Sequence, residues 1–198
     1  MKKLIETLLA TGSFIVLLFV VYFIHIRYLN VNVVFYAAIA DVFVAAIVSF
    51  FLVSLLGFFR LLGSFERFLL IIVWLLAGYS FAISVPTVID RSLSFYILEK
   101  LQQRGGAIKE DRMADVFTKE YMKEHRLVDV RLTEQLQSGT ITIQNGCVSL
   151  TEKGKTIAAI SRYFRMNLLP KHRLLMGEYT DDLTNPFKAS IVSPDYLC

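Results

Sequence analysis

The stretch FLLIIVWLLAGYSFAISVPTVIDRSLSFYILEKL, Phe68–Leu101, joins two kinds of chain. Its first part, Phe68–Val85, is an unbroken apolar run. With Pro86, Thr87 and Val88 it is long enough, at ~1.5 Å per helical residue, to cross a ~30 Å hydrocarbon core. Asp90-Arg91 and then SLSFYILEKL follow, the latter with apolar residues at a 3.6-residue period. A membrane segment therefore runs into the first helix of a water-soluble module with almost no linker. The junction is expected to act as a semi-rigid post.

Composition divides at the same place. The 198 residues are 55% hydrophobic, with a mean hydropathy of +0.54. Residues 1–89 carry as charges only Lys2, Lys3, Arg27, Arg60, Arg67, Glu6, Asp41 and Glu66. The other 16 Lys/Arg and 14 Asp/Glu lie in residues 90–198. The net charge of +4 is shared evenly between the halves, which marks neither as a strongly basic nucleic-acid binder. Cys147 and Cys198 are far apart. Their spacing gives no disulfide framework and no metal motif, so they are expected to be small buried or idle thiols. The N-terminal MKK precedes an apolar segment without a small-residue cleavage site, and this segment is expected to be retained.

Upstream of the opening stretch lie two more apolar runs, about 8–28 and 33–57, before the third at 68–88. Short connections at Leu29–Asn32 and Phe58–Arg67 make neighbours antiparallel. Ala37, Asp41, Ala45 and Ser49 recur at i+4 in the second run, and Trp74, Gly78, Ala82 and Pro86 in the third. Small residues let helices approach closely in lipid, so these stripes predict helix-packing or partner interfaces. Asp41 is the one ionisable residue well inside the hydrocarbon. Its burial costs roughly 2.5–3.5 kcal/mol on insertion scales and demands a partner or a water-filled site. His25 and Arg27 are expected at the opposite end of the hairpin, within reach only if the helices shift. Positive charges on the two sides tie, so the sequence does not orient the protein.

Downstream, Asp90 or Ser92 is placed to cap a helix with Leu93, Tyr96, Ile97 and Leu101 as its apolar face, stopped by Gly105-Gly106. A second helix is expected over 110–124, with Met113, Val116, Phe117 and Tyr121 inward. A third is expected over Val130–Gln137, capped by Asp129, with Leu132 and Leu136 inward. TITIQ-NG-CVSLT then reads as a hairpin turned by Asn145-Gly146. A last helix, Glu152–Leu169, carries Ile157, Ile160, Tyr163, Phe164 and Leu168 on its apolar side. The tail 170–198, with Pro186 and Pro194, reads as extended or disordered.

The order helix, helix, helix, hairpin, helix, with Leu150-Thr151-Glu152-Lys153-Gly154 entering the last helix, resembles the winged helix-turn-helix family over residues 90–169. The resemblance implies a small α+β module used for DNA reading or protein docking, on the cytoplasmic side. Its recognition helix would present Arg131, Gln135 and Gln137. That helix also carries Asp129 and Glu134, and the wing tip has no Lys or Arg, so phosphate charge is scarce. Anionic headgroups next to so short a tether would also repel DNA. The basic residues Arg162, Arg165, Lys171 and Arg173 predict headgroup or partner contacts instead.

His25, His125 and His172 are isolated, and no catalytic, phosphate-loop, cofactor or metal motif appears. The fold class expected is an α-helical membrane protein with three spans (1–89) plus a winged-helix-like domain (90–169) and a tail. The function expected is a non-enzymatic accessory or regulatory subunit in a bacterial inner membrane. It would bind the bilayer and a membrane protein partner or a second copy. By analogy, machinery for envelope polysaccharide or lipid-linked sugars is a client. The alternatives are a membrane-bound transcription regulator and a small channel or carrier using Asp41.

Overall fold

The computed structural model describes residues 1–57, 61–188, 190 and 198. Arg60, counted above for topology, and Pro194 lie outside the described residues. Three helices are long and apolar enough to cross a membrane: α1 (Lys2–Tyr28), α2 (Val34–Leu55) and α3 (Ser64–Arg91). Both α1 and α3 begin earlier than their apolar runs. Lys3 of α1 meets Glu66 of α3 at 2.9 Å, which pairs the charges that extend the two helices. The Glu66 carboxylate also accepts from the Gly63 backbone N–H at 2.6 Å and so caps α3.

The chain divides into two compact units, Met1–Leu127 and Val128–Cys198. In the first unit, Ala10, Phe14 and Leu18 of α1, Val42, Ala45, Ala46 and Val53 of α2, and Leu70 and Trp74 of α3 form one buried cluster. Phe14 and Trp74 stack with ring centroids 5.3 Å apart, and Trp74 Nε1 donates to Thr11 Oγ1 at 3.2 Å. Lipid offers no hydrophobic drive between helices, so such close packing and hydrogen bonding hold the bundle. A Cβ on Gly78 would overlap the side chain of Val42, which is why glycine stands there.

Pro86 does not break α3. Residues Ile83–Thr87 form a π-helical turn that absorbs the missing N–H, with Thr87 Oγ1 donating to the Ala82 carbonyl at 2.7 Å. The helix then runs on to Arg91. Ser92 turns to extended backbone and its Oγ accepts from Phe95 N, capping α4 (Leu93–Gln103). One residue separates the last membrane helix from the first helix outside it. Helix α5 (110–124) is continuous but mixed, with a π-helical segment at Val116–Tyr121. Tyr96 of α4 and Val116 and Tyr121 of α5 make a small second core with Ile108, Phe117 and Leu127. Leu93, expected inward, is exposed, and Lys100 takes a buried seat one turn from Tyr96.

Helix α6 (Leu127–Gln137) starts three residues before its expected first residue, so Asp129 lies in its first turn rather than at its cap. In the second unit, β1 (Ile141–Gln144) pairs antiparallel with β2 (Cys147–Leu150). Asn145 and Gly146 have φ of 50° and 80°, as the two-residue turn requires. Helix α7 (Glu152–Asn167) is capped by Thr151, whose Oγ1 accepts from Gly154 N at 3.1 Å and donates to the Gly139 carbonyl at 2.8 Å. A Cβ on Gly154 would overlap the Thr140 carbonyl oxygen. The threonine and glycine of the Leu150–Gly154 run thus each have a physical reason.

The structure departs from four expectations. The apolar side of α7 is exposed, Ile160 at 61% and Tyr163 at 64%, because the helix packs within its unit chiefly through its first turn. Leu136 is likewise exposed and Leu132 half-buried. The tail is not featureless: β3 (Arg173–Leu175) and β4 (Glu178–Thr180) form a hairpin through Met176 and Gly177, both at positive φ. Finally, Cys147 and Cys198 are joined in a disulfide, their Cα atoms 6.0 Å apart across 51 residues. The β1–β2 turn brings Cys147 to the start of β2, where the end of the tail meets it.

Candidate functional site

Asp41 stands two turns into α2, and His25 one turn before the end of α1. A five-residue link joins these helices, so both residues lie toward the same end of the hairpin. The expected separation is therefore wrong: His25 Nδ1 lies 2.6 Å from Asp41 Oδ1. A modest axial offset between the helices, together with two side-chain lengths, closes the gap. The Asp41 side chain is only 5% exposed and the His25 side chain 20%. The imidazole therefore connects the buried acid to the bundle surface. Asp41 Oδ2 has no hydrogen-bond partner among the described residues. Tyr22 lies within electrostatic reach of Asp41 and Asp90, and its ring meets Phe81 edge-on at 5.5 Å.

This arrangement can hold a proton in two ways. A neutral imidazole donates Nδ1–H to the carboxylate, or an imidazolium forms an ion pair with it. Either form satisfies one oxygen of an acid that lipid would otherwise penalise. Arg27, grouped with His25 in the sequence, is exposed at the end of α1.

Asp41, Ala45, Ser49, Gly78 and Ala82 are buried and Ala37 is half-buried. Their faces are used inside the bundle. On the outside, α2 and α3 leave an apolar groove of about 450 Å³, walled by Phe35, Tyr36, Ile39, Phe43, Leu76 and Tyr79. The sequence pattern did not single out this groove, because lipid-facing aromatics carry no distinctive spacing.

A second polar cluster joins α4 to α5. The Lys100 ammonium lies 2.8 Å from Glu120 and 2.6 Å from Glu124. Tyr96 donates its hydroxyl to Glu124 at 2.8 Å, and Arg104 meets Glu120 at 3.0 Å. The two carboxylates hold Lys100 above its ordinary pKa. Lys100 in turn holds Glu120 and Glu124 below theirs, with Arg104 and Tyr96 as the respective further donors. Burial, then the Glu124 carboxylate, pushes Tyr96 up to about 12. Every shift moves away from neutral pH, whereas general acid–base work needs a group poised near it. The cluster is a lock between two helices, with a shallow space of about 290 Å³ beside it that Glu99, Gln103 and His125 also line.

Of the residues expected to read bases, Arg131 is paired with Glu134 at 2.8 Å. Gln135 is held by Thr140, whose hydroxyl lies on both its main-chain and side-chain carbonyl oxygens. Gln137 is exposed at the end of α6. Among the basic residues, Lys171 and Arg173 are exposed, the latter in β3, while Arg162 and Arg165 face the tail. No three His, Cys, Asp or Glu side chains group as a metal site among the described residues.

Comparison with family models, with curated proteins and with solved structures finds no match for this chain.

Proposed function

We propose that this chain is a non-enzymatic membrane accessory or regulatory subunit that docks a larger membrane enzyme or transporter. The observation that carries the reading is the groove between α2 and α3, apolar, aromatic-walled and unfilled by the chain's own side chains. The small-residue faces are spent on packing this bundle, so docking is reassigned from them to the groove. A partner helix that inserts a side-chain ridge there gains dispersion contact that mobile acyl chains give less well. The exposed apolar side of α7 supports a second contact outside the bilayer. We read α4 to α7 as the winged-helix-like module, serving protein docking. The engagement of Arg131 and Gln135 within the chain argues against base reading.

Photo-crosslinking tests this. With p-benzoylphenylalanine in place of Phe43 or Leu76, irradiated membranes should yield a discrete protein adduct. With the same group at lipid-facing Phe19 they should not. Adducts to lipid alone, and a chain that purifies alone in mild detergent, would sink the reading.

One observation favours a second reading, a proton-coupled carrier. His25 supplies the second ionisable group that Asp41 lacked in the sequence. Asp41→Asn separates the two. A carrier should lose flux by about a hundredfold or more at unchanged expression and Tm, on the usual scale of removing a proton-transfer group. A packing role should instead lower the Tm in detergent and leave partner-dependent activity reduced in proportion to folded protein.

The Cys147–Cys198 disulfide supports placing Val128–Cys198 on the oxidising face of the membrane, the reverse of the side implied by the family resemblance.

A further inference from the structure

In the second unit the tail folds back along one side of α7. Between them lies a groove of about 320 Å³, at the small end of the roughly 300–1,000 Å³ range of ligand pockets. Arg162 and Arg165 stand three residues apart on α7, hence on one face, and both line it. Thr184, Asn185 and Phe187 of the tail and Met166 of α7 complete the wall. Among the described residues, no acidic side chain lines this groove. Neither guanidinium has an ion-pair partner among the described residues, while the acid nearest in sequence is already engaged. Asp182 takes Lys188 at 3.1 Å and the Thr180 hydroxyl at 2.8 Å. The Thr184 hydroxyl donates to the Lys171 carbonyl at 3.3 Å and so fixes the segment that forms the far wall.

Two guanidinium groups on one face, neither ion-paired among the described residues, an amide opposite and an apolar rim suit an anion with oxygens in a tetrahedral array and a small organic group attached. We infer that this groove binds a phosphate ester, with Arg162 and Arg165 as forked donors to the phosphate oxygens, Asn185 as a further donor, and Phe187 and Met166 covering the organic part. Guanidinium suits this role better than ammonium because its planar fork gives two parallel bonds to one phosphate. The phosphate can belong to a lipid headgroup or to a soluble phosphate ester, and the chemistry at the groove is the same. The site lies wholly in the second unit and is independent of the partner groove in the membrane half.

The test uses the full chain in nanodiscs. In phosphatidylcholine discs, inorganic pyrophosphate is titrated calorimetrically as the soluble probe. In a second arm, phosphatidic acid replaces a quarter of the lipid, and hydrogen exchange is followed over residues 157–169. The variants are R162Q/R165Q, R162K/R165K and, as a control with equal loss of charge, K171Q/R173Q. All these positions are exposed, and matched melting curves establish that each variant is folded. Saturable pyrophosphate binding, weakened about tenfold or more by R162Q/R165Q, partly by R162K/R165K and little by K171Q/R173Q, supports a soluble ligand. The same ranking in lipid-dependent protection, without pyrophosphate binding, supports a headgroup. No response to either probe overturns the inference. So does an equal loss in R162Q/R165Q and K171Q/R173Q, which would reveal only diffuse surface charge.

Discussion

Lys100 sits at 5% exposure on the inner face of α4, a place where the helical period calls for an apolar residue. It is tolerated because Glu120 and Glu124 reach it from α5 and Arg104 balances the remaining charge. Its pH response follows from the directions of the shifts. Glu120 and Glu124 are depressed, so their stabilisation is present above the unfolded carboxylate value of about 4.3 and is lost as pH falls through the depressed values. Lys100 is raised, so its stabilisation is present below about 10.4 and is lost as pH rises through the raised value. Thermal stability of the α4–α5 region, followed by near-ultraviolet circular dichroism of Tyr96 and Tyr121, should be flat from about pH 5 to 10 and fall below about 4. Lys100→Met should reverse the acid limb. Two carboxylates then face each other without a cation, so stability should rise as they protonate. An unchanged acid limb in that variant would show that the cluster contributes nothing.

At the scale of elements, contact between α2 and α3 depends on the missing side chain of Gly78, into whose place Val42 packs. Gly78→Ala should cost about 1–3 kcal/mol, the usual range for overpacking, read as a lower Tm in detergent. Val42→Ala in the same chain should recover most of the loss, because the obstructing group is a side chain. Gly154→Ala meets the Thr140 backbone carbonyl instead, and no second substitution should rescue it. These elements were legible in advance for definite reasons. Small residues at i+4 in an apolar run have few uses besides close packing, and an Asn-Gly pair between alternating residues has few besides a tight turn. The His25–Asp41 contact was not legible, because it depends on the axial offset of two helices, which no periodicity encodes. Lys100 was missed because a lysine reads as solvated until its partners on another helix are known. The α7 face was misassigned for the opposite reason: apolar spacing reports amphipathicity and does not say what covers it.

At the scale of the whole molecule, the open quantity is which side of the membrane holds the second unit. Within the first unit the last membrane helix passes through Pro86 and hands over to α4 at Ser92. Charge counting leaves the orientation tied, and the Cys147–Cys198 pair favours our proposal of the oxidising face. Two cysteines 51 residues apart persist as a disulfide where thiol reductants are absent, and reducing cytosol would keep them as thiols. If the second unit lies on the oxidising face, intact cells treated with a membrane-impermeant maleimide should label neither cysteine before reduction. Both should label after treatment with an impermeant reductant. Non-reducing and reducing gels of Cys147→Ser and wild type should then differ only in the wild type's mobility shift. A reporter active only outside the cytoplasm, fused after Leu169, should be active. Free thiols protected by the membrane, together with a silent reporter, would return the unit to the cytoplasm and reopen DNA as a partner. The expected result removes DNA from consideration and places the Arg162–Arg165 groove where it meets phosphate esters outside the cytosol.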